Sequence, residues 1–469
     1  MTEAAFSQAL EALLAREFSS FQSVVSCRKL TAGASQETYK IVVDIGSQSR
    51  TLAMRRAVPT LQSHSELGAI GLEAEAELFK LAAAGGIPEP EVIYVLRDTD
   101  GLGAGFLMEW LEGETLGHRI VRDQDFERLR PRLAFECGAT LARVHALDWR
   151  GAGLESHLVS SSPESLVNET WSYYRDINVP EPMIDFTWRW LLDHLPEDVP
   201  ATLVHGDFRN GNLMVTADGI AAVLDWELAH VGDPVRDLGW LCVNSWRFGK
   251  TDFPVGGFGY VEDLLAGYHS VSSLRVSPEH LKFWQVFGSF WWSIICLRMA
   301  QSWRTGETPS LERPAIGRRS SEAQMDCVNL LIPGPFNLPA TDINLAEGAQ
   351  LPMPGELLHS VAAFLREKVL PELSPENAFL SRVAANSLDI VQREVIHGAS
   401  LAEEEQKRLE NLLMCHADLD QLRWELVEKL RTDLPLDTQG LSEHLRQTAA
   451  GQLAIDQPRY SALGKTPIA

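Results

Sequence analysis

The chain predicts an α+β fold, a small strand-rich N-terminal region followed by a larger helical one, with a separate all-α bundle behind them. Three observations carry this. Apolar residues alternate with period two over residues 40–44, and a buried strand at 106–113 breaks at Gly113, all before about Leu111–Gly113. From Arg132 to Leu147 the apolar spacing becomes helical. A Pro/Asn/Gly-rich run from Pro333 to Pro354 then separates a last stretch in which helical spacing recurs. The expected boundaries are 1–111, 112–332, a linker at 333–354, a helical domain at 355–452 and a tail at 453–469. A length of 469 residues agrees, being too long for one compact core.

Taken in order, Phe6, Leu10, Leu13, Leu14 and Phe18 share a helical face beside Glu3, Glu11 and Glu17, which reads as an amphipathic helix and not as a signal peptide. Leu30-Thr-Ala-Gly-Ala-Ser-Gln-Glu-Thr-Tyr39 is a turn in which Gly33, Ala34 and Ser35 could present backbone N–H groups to phosphate oxygens, or a plain hairpin turn. Gly71-Leu-Glu-Ala-Glu-Ala-Glu-Leu-Phe-Lys80 is helical, and only one of Glu73, Glu75 and Glu77 can point inward. Phe283, Trp284, Phe287, Phe290, Trp291, Trp292 and Trp303 form an aromatic helical stretch, read mostly as core. Arg313, Arg318 and Arg319, before a final helix, are either solvated or reach an anionic substrate tail. Past the linker, residues 355–370, 375–397, 401–413 and 418–432 read as helices broken by Pro371, Pro375 and Gly398, with a loosely ordered tail after Gln452.

The chemistry is concentrated in His205-Gly-Asp-Phe-Arg-Asn-Gly-Asn212 and Asp225-Trp-Glu227. Phosphoryl transfer needs a carboxylate to orient and deprotonate a hydroxyl, and oxygen ligands to hold Mg²⁺ on the nucleotide phosphates. Asp207, Asn212 and Asp225 suit those tasks. Residues 212–215 and 220–224 read as strands joined by the turn Thr216-Ala-Asp-Gly219, so Asn212 and Asp225 meet at one end of a hairpin, a hard-cation site of oxygens. Asp207 precedes Asn212 by five residues, the offset of the Asp and Asn in the protein-kinase catalytic loop, with Gly206 in place of the Arg. A lone His-Gly-Asp or Asp-Trp-Glu occurs in ordinary turns; the ordered combination carries the reading. Glu227 is a direct or outer metal ligand, or a solvated carboxylate.

At these residues the chain resembles the aminoglycoside phosphotransferase and choline kinase family, small-molecule kinases on a protein-kinase-like bilobal fold, from its first residues to about Leu331. The resemblance implies ATP and Mg²⁺ as cofactors. It makes residues 30–39 the nucleotide loop and residues 51–56 the third strand, where Arg55 stands in place of the usual phosphate-holding Lys, with Glu75 as its helix partner. Phe106-Leu-Met-Glu-Trp-Leu-Glu-Gly113 would link the lobes, with backbone groups from Glu109 to Leu111 meeting the adenine. His205 and Asp237 would brace the catalytic loop, Asp233 would cap a helix start, and Arg209 points to an anionic group on the acceptor. The short stretch from His230 to Trp240 argues for a small substrate over a protein.

The resemblance is to a subgroup often attached to, or encoded near, acyl-CoA dehydrogenases and accompanied by an uncharacterised helical domain. That implies a hydroxyacyl compound or its CoA thioester as acceptor; an aminoglycoside or amino sugar is the rival, and a non-catalytic nucleotide-binding scaffold is the reading of another class. The helical domain implies homo-oligomerisation or a partner enzyme, and His359, His397 and His416 lack metal-ligand spacing there. A formal charge of −23 disfavours nucleic-acid and membrane-surface partners. Six scattered cysteines imply a reducing compartment, and the apolar run 287–297 is too short to cross a bilayer, so a cytoplasmic protein is expected.

Overall fold

The computed structural model describes residues 2–30, 36–57, 70–197, 200–339 and 352–464. Gly33, Ala34 and Ser35 lie outside the described residues. Contacts divide the chain into two units, one of residues 1–162, 198–242 and 246–277, the other of 163–197, 243–245 and 278–469.

The first unit begins with an antiparallel sheet in the order β1-β2-β3-β5-β4, formed by β1 (Phe21–Lys29), β2 (Gln36–Ile45), β3 (Gln48–Ala57), β4 (Val92–Val95) and β5 (Gly105–Glu109). The Glu3–Glu17 helix lays Phe6, Leu10, Leu13 and Leu14 on Ile41, Val43, Leu52 and Leu107 of the sheet. The alternation that marks β2 has this cause: Ile41 and Val43 leave the pleat toward one helix. On the Leu72–Ala84 helix, Leu72, Glu75, Leu78, Phe79 and Ala82 are buried while Glu73 and Glu77 are exposed, which resolves the choice among the three acids. Glu75 shares the face of the apolar residues three, four and seven positions away.

Behind the sheet in sequence come the Arg130–His145 helix and two short ribbons. One pairs β6 (Thr202–Val204) with β9 (His230–Gly232), the other β7 (Leu213–Thr216) with β8 (Gly219–Val223). The Val261–His269 helix packs on Arg130–His145 at Gly138 and Gly267, where any Cβ would collide with the backbone of Leu264 or Phe135.

The second unit is helical. Met183, Phe186, Met325 and Val328 share one core with Leu409, Leu422, Leu426, Leu441 and Leu453, so the helices after the linker bury their apolar faces against those of Pro182–Asp193 and Ser320–Leu331. Three expectations are corrected. Gly398 does not break the helix, which runs unbroken over Pro375–Leu413; one interior glycine costs only about 1 kcal/mol against alanine, too little to end a helix packed along its length. A further helix, Leu441–Asp456, carries Leu441, Leu445, Ala449 and Leu453 inward. The chain stays ordered beyond Gln452 through Gly464, because Tyr460 donates to Asp326 at 2.7 Å and the Ala462 carbonyl accepts from Asn329 at 3.0 Å. Phe283, Trp284, Phe287 and Phe290 are buried, whereas Trp303 is exposed. Arg313 donates to Ser302, Arg318 pairs with Asp456 and Glu394, and Arg319 pairs with Glu322. Among the described residues no helix is long and apolar enough to cross a membrane.

Candidate active site

The loop leaving β6 is shaped by one buried carboxylate. Asp237, in the Val235–Leu241 helix, accepts from the His205 N–H at 2.8 Å and the Gly206 N–H at 2.9 Å, and His145 Nε2 donates to it at 3.1 Å. Burial alone would push this acid up; the His145 hydrogen bond, with the two imidazoles and the Arg236 guanidinium nearby, brings it down to about 2. Gly206 has φ +85° and passes so close to the Leu228 carbonyl that a Cβ would overlap it, which is why glycine stands where protein kinases carry Arg.

His205 is fully buried. Its Nδ1 accepts from the Asp207 N–H and its Nε2 donates to the Leu224 carbonyl, both at 3.2 Å, a pairing that assigns the proton to Nε2. Burial lowers its pKa against the pull of Asp237, Asp207 and Asp225, so the ring stays neutral and ties the Asp207 loop to the strand end that carries Asp225.

Asp207 is held by three donors. Arg209 Nε at 2.9 Å and Trp240 Nε1 at 2.7 Å reach Oδ1, and Asn212 Nδ2 reaches Oδ2 at 2.6 Å. Arg209 thus turns inward, its Nη1 also donating to the Asn210 carbonyl and its guanidinium lying over the Trp246 ring at 4.5 Å. Because the Asn212 amide nitrogen faces Asp207, its carbonyl oxygen points the other way. The Leu224 N–H bonds the Asn212 backbone carbonyl at 2.8 Å, and β7 and β8 pair Leu213 with Val223, so Asn212 and Asp225 lie at the same end of the ribbon. Asp225 itself takes a left-handed conformation, φ +69°, that aims its carboxylate off the strand.

Arg55 arrives from β3 and joins Asp225 to Glu75. Its Nη2 lies 3.3 Å from Glu75 Oε1 and hydrogen-bonds Asp225 Oδ1, while its Nε donates to Gln36 Oε1. The Gln36 amide in turn donates to Glu227 Oε2 at 3.3 Å. Burial drives the Glu75 carboxyl up to about 7 even beside Arg55, because that one guanidinium also serves Asp225 and the charges of Asp225 and Glu227 oppose ionisation. Asp225 and Glu227 therefore face one guanidinium that also holds the buried Glu75 carboxyl, a concentration of acid suited to a divalent cation. Among the described residues no three His, Cys, Asp or Glu side chains cluster to hold a metal alone. The donors present are the Asn212 carbonyl oxygen and the Asp225 carboxylate, and this fits Mg²⁺, which takes one or two protein oxygens and completes its shell with water and phosphate. The Glu109 N–H is engaged by the Glu91 carbonyl at 2.9 Å, so a base at this edge would be read by the other backbone groups of residues 109–111.

Trp240 and Gln36 are the site residues that sequence reasoning missed. Each contacts its functional partner only through the fold, and the one available signal was position: Trp240 ends the Asp-Leu-Gly-Trp run that begins at Asp237, and Gln36 opens β2.

Comparison with known proteins gives the family and the fold. The profile of a phosphotransferase enzyme family matches residues 26–274, more than half of the chain, and a domain of unknown function, DUF6285, matches residues 371–460. The chain is 29% identical over 290 residues to acyl-CoA dehydrogenase family member 11 of Gallus gallus, covering 57% of this chain and 35% of that protein. It is 32% identical over 193 residues to acyl-CoA dehydrogenase family member 10 of Mus musculus, covering 39% and 17%. The chain thus spans about a third or less of the length of these curated relatives. A crystal structure from Ralstonia eutropha, described as an aminoglycoside phosphotransferase, superposes with a TM-score of 0.55 at 21% identity, covering 68% of this chain and 96% of that one.

Proposed function

The chain belongs to the phosphotransferase enzyme family, and on that premise we propose that it transfers the γ-phosphoryl group of ATP to a hydroxyl of a small metabolite, with Mg²⁺ bound by Asn212 and Asp225. The observation that carries this reading is Asp207, a carboxylate fixed by three donors at the end of a buried loop and hydrogen-bonded to Asn212, the neighbour of Asp225. In that place Asp207 orients the acceptor hydroxyl and takes its proton as the O–P bond forms and the bond to the ADP oxygen breaks. Mg²⁺ held there would supply charge neutralisation on the phosphate oxygens. Arg55 carries the positive charge that a Lys supplies elsewhere in this fold, and Glu75 and Gln36 set its orientation.

For the acceptor we propose a hydroxyacyl compound, free or as its CoA thioester, supported by relatives named as acyl-CoA dehydrogenase family members. The test is nucleotide consumption by the purified protein with Mg²⁺ against hydroxyacyl-CoAs, free hydroxy acids, amino sugars and choline-like alcohols. Turnover confined to the hydroxyacyl panel supports the proposal; turnover on amino sugars alone removes the acceptor assignment and leaves the reaction.

The Arg55 fork gives a sharper expectation. A Lys has one charged nitrogen and cannot bind Gln36, Glu75 and Asp225 through a planar fork. Arg55→Lys and Gln36→Leu should each lower kcat/KM for ATP roughly tenfold, the size of a lost charged hydrogen bond. Gln36→Leu should cost little more once Arg55 is replaced by Lys. Additive losses in the double variant would show that Gln36 acts independently of Arg55.

A further inference from the structure

Glu89 lies in the turn Gly86-Ile-Pro-Glu-Pro90 that joins the Leu72–Ala84 helix to β4. An acidic residue between two prolines reads as solvated, yet its carboxyl group is turned inward: Oε2 is buried without a hydrogen-bond partner, and Oε1 accepts from the Trp226 indole N–H at 3.2 Å. Trp226 is fully buried, and its ring lies 4.7 Å from that of His205. An indole has one donor and no acceptor, so once buried it needs an acceptor brought to it. Glu89 supplies one. Burial, with the charge of Glu75 adding to the effect, raises the Glu89 pKa well above the usual carboxylate range, so the group accepts as a neutral acid and adds no charge behind the acids of the site.

What this turn grips is the chain on both sides of Asp225. Before it, the Val223 N–H donates to the Pro88 carbonyl at 3.0 Å and the Leu224 N–H to the Asn212 carbonyl at 2.8 Å. After it, Trp226 is the next residue and Glu89 is the partner of its side chain. Asp225 needs both holds. Its φ of +69° is one that a residue with a Cβ adopts at a cost, and such a conformation persists only where the surrounding structure fixes it. The hydrogen bonds before Asp225 join backbone to backbone and survive a change of side chain. The one after it joins two side chains, so a substitution can remove it and leave the rest in place.

We infer that Glu89 is a positioning residue for the metal site: by holding the Trp226 indole it keeps Asp225 in the left-handed conformation from which its carboxylate would bind Mg²⁺. The inference rests on the reading of Asp225 as a magnesium ligand. It is tested without turnover, by electron paramagnetic resonance titration of the full chain with Mn²⁺ in the presence of the non-hydrolysable ATP analogue adenylyl imidodiphosphate. Glu89→Leu, which removes the acceptor, should weaken Mn²⁺ binding about three- to tenfold, the size of one lost hydrogen bond, while Glu89→Gln, which keeps an acceptor oxygen, should stay within about twofold of the parent. Trp226→Phe removes the donor and keeps a ring beside His205; it should weaken Mn²⁺ binding by a similar factor, and Glu89→Leu added to it should cost little more. Should Glu89→Leu not fold, Trp226→Phe carries the test, since it breaks the same bond. Parental Mn²⁺ affinity in either of these variants, a loss in Glu89→Gln equal to that in Glu89→Leu, or losses that multiply in the double variant would overturn the inference. Asp225→Asn separates it from the reading on which it rests: Mn²⁺ binding weakened there and parental in Glu89→Leu removes Glu89 alone, whereas binding unaltered by Asp225→Asn removes Asp225 as a ligand and Glu89 with it.

Discussion

Asp207→Asn should lower kcat by about 10²–10⁴-fold, the contribution of a positioned general base, while leaving ATP affinity close to that of the parent. Two effects act together. The amide cannot take the hydroxyl proton, and it cannot keep the geometry either. Arg209 and Trp240 both donate to one oxygen of Asp207 and Asn212 donates to the other, so whichever way the substituted amide is turned, its NH₂ faces a donor. Where the new NH₂ faces Asn212, the 2.6 Å bond is lost and the Asn212 amide is held only by its 3.0 Å bond to the residue-207 backbone carbonyl. Steady-state turnover combined with nucleotide binding separates the two: a kcat loss at unchanged nucleotide Kd is expected. A variant retaining a tenth or more of parental turnover would remove Asp207 from the role of base.

The part of this site that the sequence disclosed is the part built from local chain geometry. Asp207, Asn212 and Asp225 stand close together in the chain, and a strand, a four-residue turn and a returning strand bring the last two together by register alone. The ribbon falls one residue from the expected positions, β7 starting at Leu213 and β8 ending at Val223, and the meeting of Asn212 with the Leu224–Asp225 end survives that shift. Glu75 was one of three candidates because helical spacing defines faces without saying which face is inward; burial of Leu72, Phe79 and Ala82 on its side selects it. Trp240 and Gln36 were not legible, since an indole thirty-three residues from Asp207 and an amide nineteen from Arg55 acquire their roles only when the loop and the sheet close. The same limit explains the shared core of the second unit. The Pro182–Asp193 and Ser320–Leu331 helices each bury an apolar face, and nothing in a helical period would name Leu409 or Leu426 as what covers it.

Asp237→Asn is expected to be the most destabilising conservative change in the first unit, by about 2–4 kcal/mol at pH 7, because a buried acceptor of two backbone N–H groups and an imidazole becomes partly a donor. Activity should fall with it, since the His205–Gly206 peptide positions Asp207. Acid behaviour distinguishes this electrostatic role from simple packing. The folded-state pKa of Asp237, about 2, lies below the ordinary 3.8, so its ionisation stabilises the fold fully above about pH 5 and the gain disappears as pH falls through 2. Nearly two pKa units correspond to roughly 2 kcal/mol. Urea unfolding of parent and variant, compared from pH 7 down to pH 2, should therefore show a stability gap that is constant to about pH 5 and then narrows by that amount. Other carboxylates titrate alike in both proteins and cancel in the difference. A gap that stays flat to the acid end of that range would mean that Asp237 holds the loop by shape, and that the two backbone N–H groups find their partner equally well in a neutral amide.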